Sequence, residues 1–163
     1  MITGSNLGDR EQMLATASMK LSEILGRHVA ASKVYETEPW GFHSEHKFLN
    51  QVLLYEAEME PGEILNHILQ IEFDMGRKRS GEQFVSRSID IDILFYNDYI
   101  ISSHRLLIPH PRMHKRRFCL LPMLELDADF VHPLFGLSIS ELLDKCKDRL
   151  EVRPYISQSV PSI

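Results

Sequence analysis

The chain is built around residues 86–96, which read Ser86-Arg87-Ser88-Ile89-Asp90-Ile91-Asp92-Ile93-Leu94-Phe95-Tyr96. Apolar and acidic side chains alternate at the centre of this segment, a pattern typical of a strand with one buried face. The apolar face is expected to hold Ile89, Ile91, Ile93 and Phe95. Asp90 and Asp92 share the opposite face, where a strand rise of roughly 6.5–7 Å separates them.

The two aspartates suit a metal site. Alone, these like charges would repel each other and raise one pKa, whereas a divalent cation would stabilise both, and Mg²⁺ prefers oxygen ligands. Arg87 precedes the strand, and Arg77, Lys78 and Arg79 lie a short loop upstream. Carboxylates that hold metal beside arginines that hold phosphate indicate nucleotide chemistry. The Asp-x-Asp pattern alone is also compatible with an alternative, in which the acidic face of the strand is exposed to solvent and binds no metal.

Length and composition predict one globular domain over 1–150, followed by a C-terminal tail over 151–163. The net charge of −5 weighs against a general nucleic-acid binder, although positive charge clusters at 77–79 and 112–117. We find no apolar stretch of membrane-spanning length. The two cysteines give no disulfide framework, which favours the cytoplasm.

The predicted elements follow the order strand, helix, strand, strand, helix, strand. Asp9 and Pro61 are helix-start signals, and Gly26 and Gly76 are stop signals. Main strands are predicted for 1–3, 29–36, 48–58 and the aspartate segment, and short extra strands for 99–101 and 106–108. Two further helices are predicted, one over 113–125 and one that begins at the Ser138 capping box. This order indicates an α+β, ferredoxin-like βαββαβ sandwich, a mainly antiparallel sheet with helices packed on one face and extra C-terminal elements.

Six stretches match one family in order and spacing over almost the whole chain. They are Gly4-Ser5-Asn6-Leu7-Gly8-Asp9, Tyr35-Glu36-Thr37-Glu38-Pro39-Trp40-Gly41, Phe48-Leu49-Asn50, Ile71-Glu72 with Gly76-Arg77, Arg87-Ser88-Ile89-Asp90-Ile91-Asp92-Ile93, and Pro109-His110-Pro111 with Arg116 and Phe118. They resemble the 6-hydroxymethyl-7,8-dihydropterin pyrophosphokinases of folate biosynthesis. The resemblance implies that ATP gives its β,γ-pyrophosphoryl group to the pterin hydroxymethyl group, leaving AMP. It also implies two Mg²⁺ ions, a ferredoxin-like fold and a monomer.

The resemblance assigns the nucleotide half of the site. Asp90 and Asp92 would bind the two Mg²⁺ ions that bridge the ATP phosphates. The implied catalytic residues are these two aspartates with Arg77 and Arg87, and the implied ATP-binding residues are Glu72, Arg79, Arg87, His110 and Arg116. Each of these residues also has an alternative interpretation. The arginines could belong to a solvated charged loop, Glu72 could be a carboxylate on a helix surface, and His110 could be structural. Residues 77–85 are expected to form a lid.

The resemblance also assigns a pterin half. Phe48 and Phe118 would cover the two faces of the flat ring, and Asn50 would bind its amide edge. Main-chain bonds to the ring nitrogens would come from Thr37, Trp40 and Gly41. The alternative for each aromatic side chain is plain core packing.

Two other function classes remain open to the residue pattern. An RNA-binding module on a ferredoxin-like sheet would need exposed aromatics and a basic surface. A metal-dependent ATP enzyme of other specificity, such as a γ-phosphoryl kinase or nucleotidyl transferase, is a closer alternative, although the sequence contains no G-x-x-x-x-G-K-[ST] loop. We therefore expect small-molecule substrates and neither a nucleic acid nor a membrane as partner.

Overall fold

The computed structural model describes residues 1–77 and 86–157. The first part contains β1 (Ile2–Ser5), α1 (Arg10–Leu25), β2 (Ala30–Ala31), β3 (Tyr35–Thr37), β4 (Phe48–Leu54) and α2 (Pro61–Asp74). The second contains β5 (Asp90–Asp92), β6 (Ile101–Ser102), β7 (Leu107–Ile108), a 3₁₀ turn (Met113–Lys115), α3 (Arg117–Leu126), α4 (Ile139–Lys145) and β8 (Val152–Pro154).

A six-stranded antiparallel sheet forms the centre of the molecule. Its strand order is β5-β1-β4-β3-β8, with β2 paired to β4, while β6 and β7 form a separate hairpin. Ile2 in β1 lies opposite Val52 on one side and Asp92 on the other. The short first strand therefore lies inside the sheet and joins the strand that carries the aspartates to β4.

The sheet carries helices on both faces, so the expectation of helices on one face is wrong. Leu49 and Leu53 of β4 pack into a core with α1 and α2. The alternate residues Ile2 and Val52 pack into a second core with Cys119 and other residues of α3 and α4. Because β4 bears apolar residues on both faces, each face needs its own cover.

Capping signals in the sequence are confirmed at the helix ends. The Asp9 carboxylate accepts a hydrogen bond from the Gln12 amide N–H at the start of α1. At the start of α4, Ser138 and Glu141 form both bonds of a capping box. Gly26 follows α1 with a φ of +80°, a value that glycine adopts without strain. Local side-chain chemistry is enough to set these boundaries.

The aspartate strand is shorter than its sequence pattern predicts. It ends at Asp92, after which Ile93 and Leu94 are both buried and the alternation is lost. Phe95 therefore leaves the apolar face predicted for it. Its ring instead packs 4.7 Å from that of Phe130 in the second core.

Other boundaries differ by a few residues. The strand predicted over 29–36 is divided into β2 and β3, and the one predicted over 48–58 ends at Leu54. β8 lies within the segment expected to be a tail and pairs with β3. Cys119 and Cys146 are both free and buried. No helix within 1–77 and 86–157 has the length and hydropathy needed to cross a membrane.

Candidate active site

A cleft lies over the β1–β4–β5 face of the sheet, beside the segment that precedes α3. It holds about 560 Å³ of empty space, part of it open to solvent. Nine predicted site residues line it: Thr37, Trp40, Phe48, Asn50, Arg87, Asp90, Asp92, Arg116 and Phe118. Residues from distant parts of the sequence thus converge in one cleft, which is lined by both acidic and aromatic side chains.

Asp90 lies between two arginines. Its Oδ1 is 2.7 Å from Nη1 of Arg77, and its Oδ2 contacts Nη1 of Arg87. Arg87 precedes β5 by only a few residues, and its backbone N–H donates to Oδ1 of Asn6 at 2.7 Å. The Asn6 side chain also donates to Ser86 Oγ at 3.0 Å, so the motif after β1 holds the entry to β5.

Asp92 has a different environment. Although 37% of its side chain is exposed, partial burial, followed by the nearby Asp90 charge, raises its pKa above the ordinary value for aspartate. Its Oδ2 lies 3.7 Å from Nε2 of His110. Burial, reinforced by Arg116, lowers the pKa of His110 to about 4, so this imidazole is neutral at pH 7. Two carboxylates in unequal surroundings thus face one cleft.

The surroundings of His110 indicate its tautomer. Nδ1 accepts the Arg112 amide N–H at 3.1 Å, so the proton of the neutral ring belongs on Nε2, towards Asp92. The His110 backbone N–H donates to the Leu94 carbonyl at 2.9 Å, which ties the Pro-His-Pro segment to the end of β5. The ring therefore presents an N–H donor beside the second aspartate.

Glu72 and Arg77 lie behind the aspartates. Only 2% of the Glu72 surface is exposed, and its Oε1 accepts the Ile91 amide N–H at 2.8 Å. The same oxygen contacts Nη1 of Arg77. Burial raises the pKa of Glu72, and the Arg77 guanidinium opposes that rise. This burial favours a supporting role over the predicted nucleotide contact, which stays a prediction.

At the apolar end, Asn50 is held in one orientation. Its Nδ2 donates to Thr37 Oγ1 at 2.8 Å. Asn50 lies opposite Gly4 in the register, and a Cβ placed on Gly4 would be 2.8 Å from Asn50 Oδ1. This glycine is therefore needed for the close approach of the amide. In the structure Thr37 contacts Asn50 through its hydroxyl oxygen. The sequence analysis predicted a different contact, between the Thr37 main chain and the ligand.

Arg116 lies between aromatic side chains. Its guanidinium carbon is 4.8 Å from the centre of the Trp40 ring and 5.6 Å from that of Phe118. Its buried Nε has no hydrogen-bond partner among the residues that the structure describes. Arg116 therefore contacts the aromatic side chains of the cleft, and its Nε–H, which no described residue accepts, is available to a ligand.

Some of the predicted site residues do not line the cleft, and some residues that line it were not predicted to belong to the site. Gly41, with a φ of +82°, is between two lining residues, Trp40 and Phe42. Arg79 and the rest of the expected lid beyond Arg77 are outside the described residues. Sequence reasoning missed Phe42, whose ring meets that of Phe48 edge-on at 6.1 Å, and assigned no role to Asn6 or Gly4 although it quoted their motif.

The donor set fits Mg²⁺. Carboxylate oxygens on alternate residues of one strand suit a hard cation, and Mg²⁺ is commonly held by one or two carboxylates together with water and substrate phosphates. Within 1–77 and 86–157 no cluster of three or more acidic, histidine or cysteine ligands occurs. Asp90 and Asp92 are therefore suited to a cation that arrives with phosphate rather than to one held by protein ligands alone.

Comparisons with known proteins agree with this chemistry. The family model described as 7,8-dihydro-6-hydroxymethylpterin-pyrophosphokinase (HPPK) matches residues 1–128. The chain is similar to 2-amino-4-hydroxy-6-hydroxymethyldihydropteridine pyrophosphokinases of Porphyromonas gingivalis (43% identical over 133 residues, 80% of this chain and 90% of the relative) and Aquifex aeolicus (40% over 140 residues, 85% of each). Its fold resembles a crystal structure of an HPPK-DHPS in complex with substrates, with TM-score 0.70, 15% identity, and coverage of 88% of this chain and 42% of that one.

Proposed function

The chain belongs to the 7,8-dihydro-6-hydroxymethylpterin-pyrophosphokinase family, and we propose that the cleft over β1, β4 and β5 is its active site. The enzyme transfers pyrophosphate from ATP to 6-hydroxymethyl-7,8-dihydropterin, giving AMP and the pterin pyrophosphate, in folate biosynthesis. The observation that carries the assignment is the convergence of paired acids, arginines and aromatics in one cleft.

The reaction needs charge control more than a nucleophilic side chain. The pterin hydroxymethyl oxygen attacks the β-phosphorus, the bond from that phosphorus to the bridging α,β-oxygen breaks, and AMP leaves while the hydroxyl proton is lost. Asp90 and Asp92 would hold two Mg²⁺ ions, which when bound neutralise the phosphate oxygens and align the reacting atoms. The unequal environments of the two carboxylates support different roles for them in holding the cations.

The arginines supply the remaining positive charge. Arg87 lines the cleft beside Asp90, and Arg116 also lines it, with a buried Nε that has no hydrogen-bond partner within 1–77 and 86–157. A guanidinium can bind two phosphate oxygens at once, which fixes the chain of phosphates in orientation as well as in charge. We assign phosphate binding to these two residues and to Arg77, and an N–H contact to His110. Arg79 stays a prediction for the same role.

The aromatic end of the cleft suits the pterin. Phe48 and Phe118 can cover the faces of a flat bicycle, and the amide of Asn50 can accept from and donate to its guanine-like edge. The Thr37 hydroxyl supports this reading because its bond to Asn50 Nδ2 leaves Oδ1 and the second amide hydrogen for the ligand. Trp40 and Gly41 would provide backbone contacts.

The finer fold assignment is also a proposal. The first six main elements, with β2 set aside, follow the βαββαβ order, which supports a ferredoxin-like sandwich enlarged by α3, α4 and β8. A monomeric state, the cytoplasmic location, and the division into a domain over 1–150 and a tail over 151–163 stay predictions.

Separate titrations test the two halves of the site. Phe118→Ala should weaken pterin binding by about 1–3 kcal/mol, in line with stacking of bases on aromatics, and Asn50→Ala by about 1–3 kcal/mol through unpaired polar groups. Both variants should keep the affinity of wild type for a non-hydrolysable ATP analogue. Calorimetry with each ligand alone decides the assignment. Loss of ATP-analogue affinity with unchanged pterin affinity would show that the halves are reversed.

A further inference from the structure

The strand that carries the aspartates is held from outside the sheet by a helix side chain. Among the residues that the structure describes, β5 is at the edge of the sheet and pairs with β1, where Ile91 lies opposite Thr3. The Ile91 amide N–H donates to Glu72 of α2 at 2.8 Å. An edge strand otherwise leaves such donors without a partner in the sheet. Because Ile91 separates the two aspartates, this bond fixes the backbone from which both carboxylates project.

The same Glu72 oxygen also influences Asp90, one of the two aspartates that line the cleft, through Arg77. It contacts Nη1 of Arg77, and that nitrogen lies 2.7 Å from Asp90 Oδ1. One guanidinium is thus shared between a carboxylate of the cleft and a carboxylate behind it. Without the Glu72 charge, Arg77 would pair more strongly with Asp90, and it would compete with any cation for that carboxylate.

We propose that Glu72 is a positioning residue for the cation site, acting through Ile91 and Arg77 and not by touching the nucleotide. It fixes the backbone of β5 and draws Arg77 partly away from Asp90, which leaves Asp90 able to bind Mg²⁺. The exposed fraction of Glu72 is 2%, so its carboxylate faces protein. The inference rests on the proposed function, since it concerns the cation that the aspartates hold for the reaction.

Glu72→Gln separates the charge from the backbone bond, because the amide oxygen can still accept the Ile91 N–H. We expect the Mg²⁺ concentration for half-maximal turnover to rise about 10-fold, the lower end of what the loss of an outer-layer partner costs a metal site. KM for the pterin and the affinity for AMP, titrated without metal, should not change. Glu63→Gln, an exposed carboxylate on the same helix, is the matched control and should leave all three quantities unchanged.

Two further variants test the route of the effect. Glu72→Asp keeps the charge with a shorter reach, and it should give a Mg²⁺ requirement between those of wild type and Glu72→Gln. If Glu72 acts through Arg77, its replacement by Gln should add little in an Arg77→Gln background. Thermal unfolding verifies that each variant is folded. If Glu72→Gln does not fold, Glu72→Asp decides alone: a raised Mg²⁺ requirement supports the role, and an unchanged one overturns it.

The outcomes separate this inference from the proposed function. An unchanged Mg²⁺ requirement in folded Glu72→Gln would overturn the positioning role while wild type still produced AMP. A fall in AMP affinity would instead show a direct nucleotide contact, which also overturns it. Failure of wild type to make AMP from ATP and the pterin would contradict the proposed function itself.

Discussion

At the scale of single residues, several side chains in and behind the cleft are held by neighbours that lie far away in the sequence. The alternation around Asp90 and Asp92 is a local property of a strand, so it is visible without any tertiary information. The burial of Glu72 depends on how α2 packs against β5, which no local pattern encodes. The need for glycine at position 4 likewise depends on the cross-strand neighbour Asn50.

Replacing the aspartates one at a time should separate activity from stability. Asp90→Asn and Asp92→Asn should each reduce turnover by at least roughly 10²–10³-fold, as expected for the loss of a strong electrostatic stabiliser. Asp90→Asn should also lower the free energy of unfolding by about 1–3 kcal/mol, because it removes the negative charge that both Arg77 and Arg87 contact. Asp92→Asn should keep or raise the melting temperature, because partial burial and the neighbouring Asp90 charge both disfavour the Asp92 charge. Kinetics and thermal unfolding check both, and normal turnover in either variant at saturating Mg²⁺ would refute the metal assignment.

The close approach at Gly4 gives a second prediction. Gly4→Ala would place a Cβ 2.8 Å from Asn50 Oδ1, so the amide must move away from its bond with Thr37. We expect pterin affinity to fall by about 1–3 kcal/mol, with little change for an ATP analogue. Gly62→Ala is the control, because no atom lies within 4 Å of a Cβ there. Equal pterin affinity in both variants, measured by calorimetry, would contradict the proposed role of Asn50.

At the scale of elements, helices were easier to predict than strands. Capping chemistry and helical spacing are local, and both ends of α1 and α2 and the start of α4 agree with them. Strand lengths depend on partners: β4 ends at Leu54 rather than near residue 58, and a strand predicted to be continuous is divided. The position of α3 on the second face could not be predicted, because apolar residues on both faces of β4 show that each face needs a cover but not which helix provides it.

The capping box of α4 should affect stability and not catalysis. Ser138→Ala removes the acceptor for the Glu141 amide N–H, which should cost about 1 kcal/mol of unfolding free energy. Turnover should be unchanged, because α4 supplies no residue to the cleft lining. Ser140→Ala, an exposed change in the same helix, is the control. Chemical denaturation measures the difference, and a lower kcat in folded Ser138→Ala would link α4 to the site.

At the scale of the whole molecule, a buried histidine that contacts Phe95 of the second core makes stability depend on pH. His132 is 1% exposed, its ring is stacked 4.4 Å from that of Phe135, and burial lowers its pKa to about 4. The unfolded chain then binds a proton near the ordinary pKa of about 6.5, before the folded chain does. Stability is therefore lost as pH falls from about 6.5 towards 4.

The contribution of His132 can be isolated by substitution. His132→Asn keeps an acceptor for the Leu134 amide N–H but removes the titrating ring. Between pH 7 and 4.5 the unfolding free energy of this variant should fall less steeply than that of wild type, whatever its value at pH 7. His110 and His114, whose pKa values are also lowered, remain in both proteins and supply a common background. Parallel pH profiles would show that His132 does not carry the effect.

We propose that this cleft transfers the β,γ-pyrophosphoryl group of ATP to the pterin as one unit. Phosphorus NMR of a mixture of the protein, ATP, Mg²⁺ and 6-hydroxymethyl-7,8-dihydropterin tests it most directly, with Asp92→Asn run in parallel. The wild type should produce AMP and the pterin pyrophosphate in equal amounts, and the variant should produce neither at a comparable rate. Formation of ADP with a pterin monophosphate, release of free pyrophosphate in place of the pterin product, or equal rates for the two proteins would contradict the claim.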